Sequence, residues 1–236
     1  MPRFTRRTLT YGLGGGVDFS ALNIRQSGGA STFEVAERGE TAGEVTLRIP
    51  GVHNVRNALA AYAAARELGV TPEVALKGLA GFAGVDRRSQ VKGEARGILV
   101  LDDYGHHPTE IKAVLSALRD SYKRRVVALF QPHRYSRTKD LLESFETAFY
   151  GADLVFVTDV YGAGEAPLPG VTAELLADGI RNHGHRAVHY TGGLETSVEE
   201  ALAHLVEDDL FITLGAGNVW QAGETLLERL RGGGDV

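Results

Sequence analysis

Cysteine is absent from this sequence of 236 residues, and so are long apolar runs and an excess of positive charge. The lack of cysteine excludes disulfide bonds and thiolate metal sites. No uninterrupted apolar run approaches the roughly 20 residues that a membrane-spanning helix needs, and residues 1–7 lack the apolar core of a signal peptide. A formal charge of −5 argues against a general electrostatic grip on nucleic acid or membrane. These absences predict a cytoplasmic protein that binds neither.

Short β-branched runs alternate with helical patterns from about residue 98 onward. Alternation at intervals of roughly thirty residues is typical of βα units and a mostly parallel sheet. The predicted strands are Ile98-Leu-Val-Leu101, Val126-Val-Ala-Leu-Phe130, Leu154-Val-Phe-Val157, Leu210-Phe-Ile-Thr-Leu214 and, more weakly, Ala187-Val-His-Tyr190. Apolar residues recur at helical spacing within residues 111–118, 141–149, 198–205 and 226–230. We therefore expect an α/β fold with a Rossmann-like, mostly parallel sheet and flanking helices.

The first 80 residues have a different pattern. Two glycine-rich segments, Leu13-Gly-Gly-Gly16 and Ser27-Gly-Gly29, indicate antiparallel hairpins. An alanine-rich helix is predicted from Asn54 to Leu68, and a second helix is predicted to begin at Pro72 after Thr71 as its N-cap. Because the pattern changes near residues 81–85, we predict two domains, at residues 1–83 and 84–236.

Polar side chains are concentrated directly after four of the predicted strands. The segments are Asp102-Asp-Tyr-Gly-His-His107, Gln131-Pro-His-Arg-Tyr-Ser-Arg137, Thr158-Asp-Val-Tyr-Gly-Ala-Gly-Glu165 and Gly215-Ala-Gly-Asn218. In an open α/β sheet, ligands bind beyond the carboxyl ends of the strands, where loops and helix N-termini converge. The sequence therefore predicts a binding site at this rim.

Each of these segments also has a simpler interpretation. Asp and His before Pro108 could cap a helix, although capping needs one side chain and this segment offers five polar ones. Arg134 and Arg137 could be surface arginines, but their position after a buried strand favours a planar fork for carboxylate or phosphate. The Gly-x-Gly of Gly215 and Gly217 is a weak signal, because strand-to-helix turns often need glycine.

A zinc site at the rim is a further alternative. His106, His107, His133 and Asp159 could face the same cavity. Adjacent histidines in an extended turn tend to diverge, however, and no His-Glu-x-x-His spacing is present. We therefore predict no metal ligands in this chain.

Asn54 and Asn57 are three residues apart and share one face of the predicted alanine-rich helix. Asn54 could be only the N-cap, but that interpretation leaves Asn57 unexplained. A carboxamide can pair bidentately with the edge of adenine. Arg88, at the suspected hinge, is placed to reach phosphate. This group of residues predicts a nucleotide ligand.

Four long motifs in this sequence resemble those of the Mur ligase family. They are Gly51-Val-His-Asn-Val-Arg-Asn57, Asp102-Asp-Tyr-Gly-His-His-Pro-Thr-Glu110, Phe130-Gln-Pro-His-Arg-Tyr-Ser-Arg-Thr138 and Thr158-Asp-Val-Tyr-Gly-Ala-Gly-Glu165. The resemblance extends from about Thr10 to the C-terminus. The form of the second motif favours the member that joins L-alanine to UDP-N-acetylmuramate over the recycling ligase that attaches intact peptides. The resemblance thus implies an ATP-dependent ligase of peptidoglycan synthesis, with ATP and Mg²⁺ as cofactors and an acyl phosphate intermediate.

The resemblance also implies roles for individual residues. Asn54 and Asn57 match asparagines that hold the adenine of ATP, Arg88 matches an arginine that reaches its phosphates, and Asp103 matches an aspartate that contacts the ribose. The residues that match the amino-acid and muramoyl end of the site are Tyr104, His106, Arg134 and Arg137. His106 or an aspartate would accept the proton of the alanine amine.

The phosphate-binding pattern Gly-x-x-x-x-Gly-Lys-Ser/Thr does not occur in the sequence. The resemblance therefore implies that residues 1–83 are the end of the central ATP-binding domain, and that 84–236 are the C-terminal, amino-acid-binding domain. The UDP-binding domain and most Mg²⁺ ligands would be missing. We expect the chain to be inactive alone and to self-associate through surface exposed by truncation. Two other classes stay open: a stand-alone nucleotide-binding or regulatory module, and a metallohydrolase.

Overall fold

The computed structural model of the protein describes residues 7–232. Residues 1–6, part of the stretch that lacks a signal-peptide core, lie outside this range. The chain separates into two compact units, one containing the residues up to Gly84 with Asp120–Tyr122, the other containing Val85–Arg119 and the residues from Lys123 onward. None of the helices in the described range has both the length and the apolar character needed to span a bilayer.

The first unit packs two helices on a small sheet. Its elements are β1 (Tyr11–Leu13), β2 (Phe19–Ser27), β3 (Ala30–Glu37), β4 (Glu40–Leu47), α1 (Val52–Glu67) and α2 (Pro72–Ala80). The sheet order is β1-β2-β3-β4, with β2, β3 and β4 antiparallel. Gly28 and Gly29 form the two-residue turn between β2 and β3 with φ of 56° and 77°, which confirms this predicted hairpin. Phe33, Leu59 and Tyr62 lie in the core.

The other predicted hairpin, at Leu13-Gly-Gly-Gly16, is wrong. β1 pairs in parallel with β2, with Tyr11 opposite Phe19. Gly14 and Gly16 have φ of 83° and 88°, so the chain can reverse direction twice within a short loop. Asp18 closes the loop, since its Oδ2 accepts hydrogen bonds from the amide and the hydroxyl of Thr10, both at 2.8 Å.

Helix α1 begins two residues earlier than predicted. Its N-cap is Gly51, with φ of 103°, and the helix starts at Val52. Asn54 is therefore the third helical residue, and the interpretation of Asn54 as N-cap is wrong. Its Nδ2 donates instead to the carbonyl of Pro50 at 2.7 Å. Helix α2 begins at Pro72 after Thr71, as predicted.

The second unit is an α/β sheet covered by helices. Its elements are β5 (Gln90–Ala95), β6 (Ile98–Asp103), α3 (Pro108–Tyr122), β7 (Arg125–Phe130), α4 (Tyr135–Asp140), α5 (Leu142–Glu146), β8 (Leu154–Thr158), α6 (Ala173–Asn182), β9 (Val188–Gly192), α7 (Leu194–His204), β10 (Asp209–Leu214) and α8 (Trp220–Gly232). The sheet order is β5-β6-β10-β7-β8-β9, and only β5 runs antiparallel to its neighbour. The five predicted strands and the α/β fold class are confirmed.

Two features of this unit were not predicted, and one predicted helix differs in length. The edge strand β5 is polar and carries a bulge between Val91 and Gly93, so it lacks the alternation of a half-buried strand. Helix α6 follows a Thr172 N-cap, whose hydroxyl accepts from the amide of Leu175 at 3.1 Å. The helix predicted within residues 141–149 is shorter, since α5 ends at Glu146 and Leu141 separates it from α4.

Candidate functional site

The strand register brings polar loops of the second unit to one edge of its sheet. Leu214, the last residue of β10, lies opposite both Asp103 of β6 and Phe130 of β7, and Phe130 lies opposite Val157 of β8. The amide of Gln131 donates to the carbonyl of Leu214 at 2.9 Å, so the pairing continues into the loop. The loops after these strands therefore begin side by side.

The carboxylate of Asp102 is buried and hydrogen-bonded to other residues of the second unit. Its carboxylate is 1% exposed and accepts hydrogen bonds from Arg87 Nε at 3.0 Å and from the hydroxyl of Thr213 at 2.7 Å. One of the five polar side chains in the loop after β6 is thereby explained by folding alone.

Asp103 is also buried, at 2% exposure. Its Oδ2 accepts from the amide of Ser89 at 2.6 Å, and its Oδ1 accepts from the amide of Gly105 at 2.7 Å. Burial raises the pKa of this carboxyl in spite of these hydrogen bonds. In this conformation the carboxylate fixes the loop that carries Tyr104 and His106, and the predicted contact with a ribose stays a prediction.

The helix-capping interpretation is confirmed for one residue of the loop, His107. Its Nδ1 accepts from the amide of Thr109 at 3.3 Å, and Glu110 Oε2 accepts from the amides of His107 at 3.1 Å and His106 at 3.0 Å. Burial would raise the pKa of Glu110, but these amide hydrogen bonds and nearby positive charge, including that of Arg88, together lower the pKa. Folding thus explains Asp102 and His107, Asp103 keeps its predicted ribose contact, and Tyr104 and His106 remain for a role at the amino-acid end of the site.

Four rings from three loops form a continuous cluster at the rim. Tyr104 meets His106 edge-on, with ring centroids 5.3 Å apart, and His106 lies 5.9 Å from His133. His133 stacks on Tyr161 at 5.5 Å, with the ring planes 17° apart. His133 was considered only as a zinc ligand in the sequence. Its place beside Arg134, after a buried strand, is the signal that could have assigned it to this cluster.

The two histidines of the cluster differ in their hydrogen bonds. Nδ1 of His106 donates to the carbonyl of Tyr104 at 3.0 Å, which leaves Nε2 as the acceptor of a neutral ring. Nδ1 of His133 accepts from Nη1 of Arg137 at 3.3 Å. Burial, followed by the charge of Arg137, lowers the pKa of His133. His133 is therefore neutral at physiological pH.

Two arginines pack near the ring of Tyr104, and two others follow β7. The guanidinium of Arg87 lies 5.0 Å from the centroid of Tyr104, and that of Arg88 lies 5.7 Å from it. Arg134, with a side chain that is 51% exposed, lies beside Glu165 at 3.8 Å. Fixed positive charge therefore lies near the ring of Tyr104 and in the loop that carries His133.

Asp159 and Asn218, the other polar residues of the rim, have partners of their own. The hydroxyl of Tyr190 donates to Asp159 Oδ1 at 2.6 Å, and this bond raises the pKa of Tyr190 to about 12. Asn218 Oδ1 accepts from Gln131 Nε2 at 3.0 Å. Among the described residues, no group of three or more His, Cys, Asp or Glu could hold a metal ion.

The candidate nucleotide residues of the first unit lie at the start of α1. Asn54 is half-buried and bonded to Pro50, as described above, while Asn57 is exposed one turn later on the same face. Within the described part of the chain, the side chain of Asn57 makes no hydrogen bond, so its carboxamide can serve a ligand.

Comparison with known proteins gives one consistent result. The family model described as Mur ligase, glutamate ligase domain, matches residues 87–217. A UDP-N-acetylmuramate–L-alanine ligase from Geobacter sp. (strain M21) is 51% identical over 232 residues, covering 98% of this chain and 50% of the relative. The chain thus spans about half the length of the curated relatives it matches.

Two solved structures show the same fold. A UDP-N-acetylmuramate–alanine ligase from Thermotoga maritima is 27% identical, with a TM-score of 0.80 over 94% of this chain and 48% of that one. A MurF ligase from the same organism, solved in complex with ADP, has a TM-score of 0.68 over 95% of this chain and 48% of that one. At 20% identity, the second likeness concerns the fold alone.

Proposed function

Since the chain belongs to the Mur ligase family, we propose that it supplies the amino-acid-binding part of an ATP-dependent ligase that joins L-alanine to UDP-N-acetylmuramate. In this reaction the muramoyl carboxylate attacks the γ-phosphorus of ATP and displaces ADP, the alanine amine attacks the carbonyl carbon of the resulting acyl phosphate, and phosphate leaves as the amine loses a proton and the amide forms. Residues 84–236 would be the C-terminal domain and residues 1–83 the end of the central domain. The family match over residues 87–217 supports this division.

The observation that carries the proposal is the cluster of Tyr104, His106 and His133 beside Arg134 and Arg137. The reaction brings together a carboxylate and a polyphosphate, so it needs fixed positive charge to offset their repulsion. A guanidinium can bind a carboxylate or a phosphoryl group through two parallel hydrogen bonds. Arg134, whose side chain is 51% exposed, is the residue we assign to that task.

His106 is the residue we assign to proton transfer. The amine of alanine must lose a proton to form the amide, and a neutral imidazole within reach can accept it. The bond from Nδ1 to the carbonyl of Tyr104 leaves Nε2 of His106 as the acceptor. His133 is less suitable, because its Nδ1 already accepts from Arg137.

The residues present fit part of an ATP site. In the first unit, Asn54 and Asn57, the latter with an exposed carboxamide, would contact adenine. In the second unit, Arg88 would contact phosphate and Asp103 would contact the ribose. ATP would supply the phosphoryl group that activates the carboxylate. Because no group of three or more His, Cys, Asp or Glu among the described residues could hold a metal ion, none of these steps is assigned to a metal held by this chain.

The absence of a phosphate-binding loop from the sequence supports the further proposal that this chain is inactive alone. The cytoplasmic location and the self-association predicted from the sequence belong to the same proposal. Sedimentation analysis tests the latter, and a monomer at all concentrations would contradict it.

A chimera tests the proposed function. This chain replaces the matching half of the ligase from Geobacter sp. (strain M21), and phosphate release is measured with and without L-alanine and UDP-N-acetylmuramate. We expect release that needs both substrates in the chimera, and none from the chain alone. A folded chimera that binds UDP-N-acetylmuramate and ATP but releases no phosphate on addition of alanine would contradict the proposal. Tight ATP binding by the chain alone in calorimetry would favour the stand-alone nucleotide-binding module.

A further inference from the structure

Helix α4 begins after Arg134, a residue that cannot cap it. The first amides of a helix have no partner within the helix, and an N-cap side chain with an acceptor oxygen usually satisfies one of them. Arginine has donors only. Arg134 also has φ of 71°, outside the regions that most residues occupy. Both the free amides and the unusual backbone therefore need support from elsewhere in the chain.

The loop after β8 supports the backbone of Arg134. The amide of Arg134 donates to the carbonyl of Tyr161 at 2.8 Å, and the amide of Tyr161 donates to the carbonyl of Pro132 at 2.8 Å. On the helical side, the hydroxyl of buried Thr138 donates to the carbonyl of Arg134 at 2.8 Å. The peptide groups on both sides of Arg134 are thus held in place.

Glu165, from the same loop, supplies the missing cap. Its Oε2 accepts from the amide of Ser136 at 2.9 Å, and its Oε1 accepts from the hydroxyl of Ser136 at 2.7 Å. The same Oε1 lies 3.8 Å from Nη1 of Arg134. The amide and then the hydroxyl of Ser136 lower the pKa of Glu165, so the carboxylate is ionised at neutral pH. One carboxylate therefore contacts both the first turn of α4 and the guanidinium.

A tight turn directs Glu165 toward the helix. The amide of Glu165 donates to the carbonyl of Gly162 at 2.9 Å, and Ala163 and Gly164 have φ of 50° and 88°. A Cβ at Gly162 would lie 2.8 Å from the carbonyl oxygen of Glu165 and 3.2 Å from the ring of Tyr135. A side chain at position 162 would therefore displace Glu165 from α4.

We infer that Glu165 is a positioning residue that acts through Arg134, because its carboxylate caps α4 and at the same time fixes the orientation of the guanidinium. That Arg134 binds a carboxylate or phosphoryl group of the substrates is part of the proposed function, and this inference rests on it. The carboxylate of Glu165 has its hydrogen bonds within the protein, so it contributes to turnover without contacting substrate.

A double-mutant cycle in the chimera tests whether Glu165 acts through Arg134. Glu165→Gln keeps the size of the side chain but loses the charge, and we expect kcat to fall about 10-fold, because the anion that lies 3.8 Å from the guanidinium of Arg134 becomes neutral and no longer orients it. In the Arg134→Ala background the same change should lower kcat by less than about 2-fold. Equal losses in the two backgrounds, or no loss in the first, would overturn the inference. Glu143→Gln, the same chemical change at an exposed position of α5, should leave kcat unchanged.

A second measurement does not depend on catalysis. In the ¹⁵N-labelled chain itself, the Nε–Hε signal of Arg134 is assigned by its loss in Arg134→Lys. We expect Glu165→Gln to shift this signal and Glu143→Gln to leave it in place, and an unmoved signal would overturn the inference. If the signal shifts but the unsubstituted chimera is inactive, the proposed function fails while the contact stands. Should Glu165→Gln fail to fold, Ser136→Ala, which removes one of the two hydrogen bonds, should shift the signal in the same direction by less.

Discussion

Arg87 and Asp102 form an ion pair in which the carboxylate is almost completely buried. Nε of Arg87 donates to Oδ2 of Asp102 at 3.0 Å, and Asp102 is 1% exposed. Nη2 of Arg87 donates to the carbonyl of Gly215 at 2.6 Å. The guanidinium therefore joins the segment before β5 to strand β6 and to the loop after β10. Its neighbour Arg88 is exposed over the ring of Tyr104, so the two adjacent arginines have different surroundings.

Arg87→Ala should lower the free energy of unfolding of the second unit by about 3 kcal/mol, because it leaves the buried carboxylate of Asp102 without its cation. Urea denaturation followed by the fluorescence of Trp220, the only tryptophan, measures this unit directly. The matched variant Arg88→Ala should change the value by less than about 0.5 kcal/mol. If the two variants lost similar amounts of unfolding free energy, the ion pair with Asp102 would not be the source of the stability that Arg87 provides.

His106 and His107 are adjacent in the loop after β6, but we expect His107 to matter for stability and not for turnover. His107→Ala removes the cap of α3 and should cost about 1 kcal/mol of stability, while the turnover of the chimera stays within about 2-fold of the parent. Denaturation curves and initial rates of the same preparation test both halves of this prediction. A large loss of turnover with unchanged stability would place His107 in the site.

Arg134→Ala and His106→Ala should each lower the turnover of the chimera by about 100-fold, because each removes a group aimed at charge or a proton in the reaction. Both side chains are at least partly solvent-accessible, so neither change should unfold the second unit. Steady-state rates and circular dichroism provide the test. Normal rates in both variants would remove these residues from the site.

The pattern of the sequence predicted the parts of the fold that follow from local periodicity. Strands β6, β7, β8 and β10 are almost fully buried and mostly apolar, as strands covered on both faces must be, and all four were predicted. The parallel pairing of β1 with β2 was missed, because it depends on the reversal at Gly14 and Gly16 and not on periodicity.

The sequence predicted which loops form the candidate site, but not which of their residues have structural partners within the protein. The sequence identified the loops, but it could not separate Asp102, Asp103 and His107 from Tyr104 and His106. That distinction depends on partners distant in the chain, such as Thr213 for Asp102 and Ser89 for Asp103. The same holds for Glu165, whose partner Ser136 lies 29 positions away.

The lowered pKa of His133 predicts a pH dependence of stability. The folded ring resists protonation because it is buried and lies near Arg137, His106 and Arg134, while Glu165 has the opposite effect. Below the ordinary pKa of 6.5, the unfolded chain therefore binds a proton that the folded chain does not. The free energy of unfolding falls as the pH is lowered from 6.5 toward the lower pKa of the folded ring. His133→Gln should make this fall shallower, which denaturation midpoints from about pH 5 to 8 would show. Parallel pH profiles for the two proteins would contradict the assignment.

Gly217 is the residue that allows the loop after β10 to lie against the ring cluster. A Cβ at this position would lie 2.5 Å from Oε1 of Gln131 and 2.7 Å from Cγ of Tyr161. Gln131 is 5% exposed, and its Oε1 has no hydrogen-bond partner within the described range, so this amide cannot move aside into solvent. The ring of Tyr161 would have to shift instead, and with it the stacked ring of His133.

Gly217→Ala should therefore lower the free energy of unfolding by about 1–3 kcal/mol, the usual cost of added volume in a packed region. It should also move the imidazole NMR signals of His133. Gly232→Ala is the matched control, since a Cβ there meets no atom within 4 Å, and it should be neutral or slightly stabilising. If Gly217→Ala were as stable as this control and left the His133 signals in place, the loop could not be packed against Tyr161 as the structure has it.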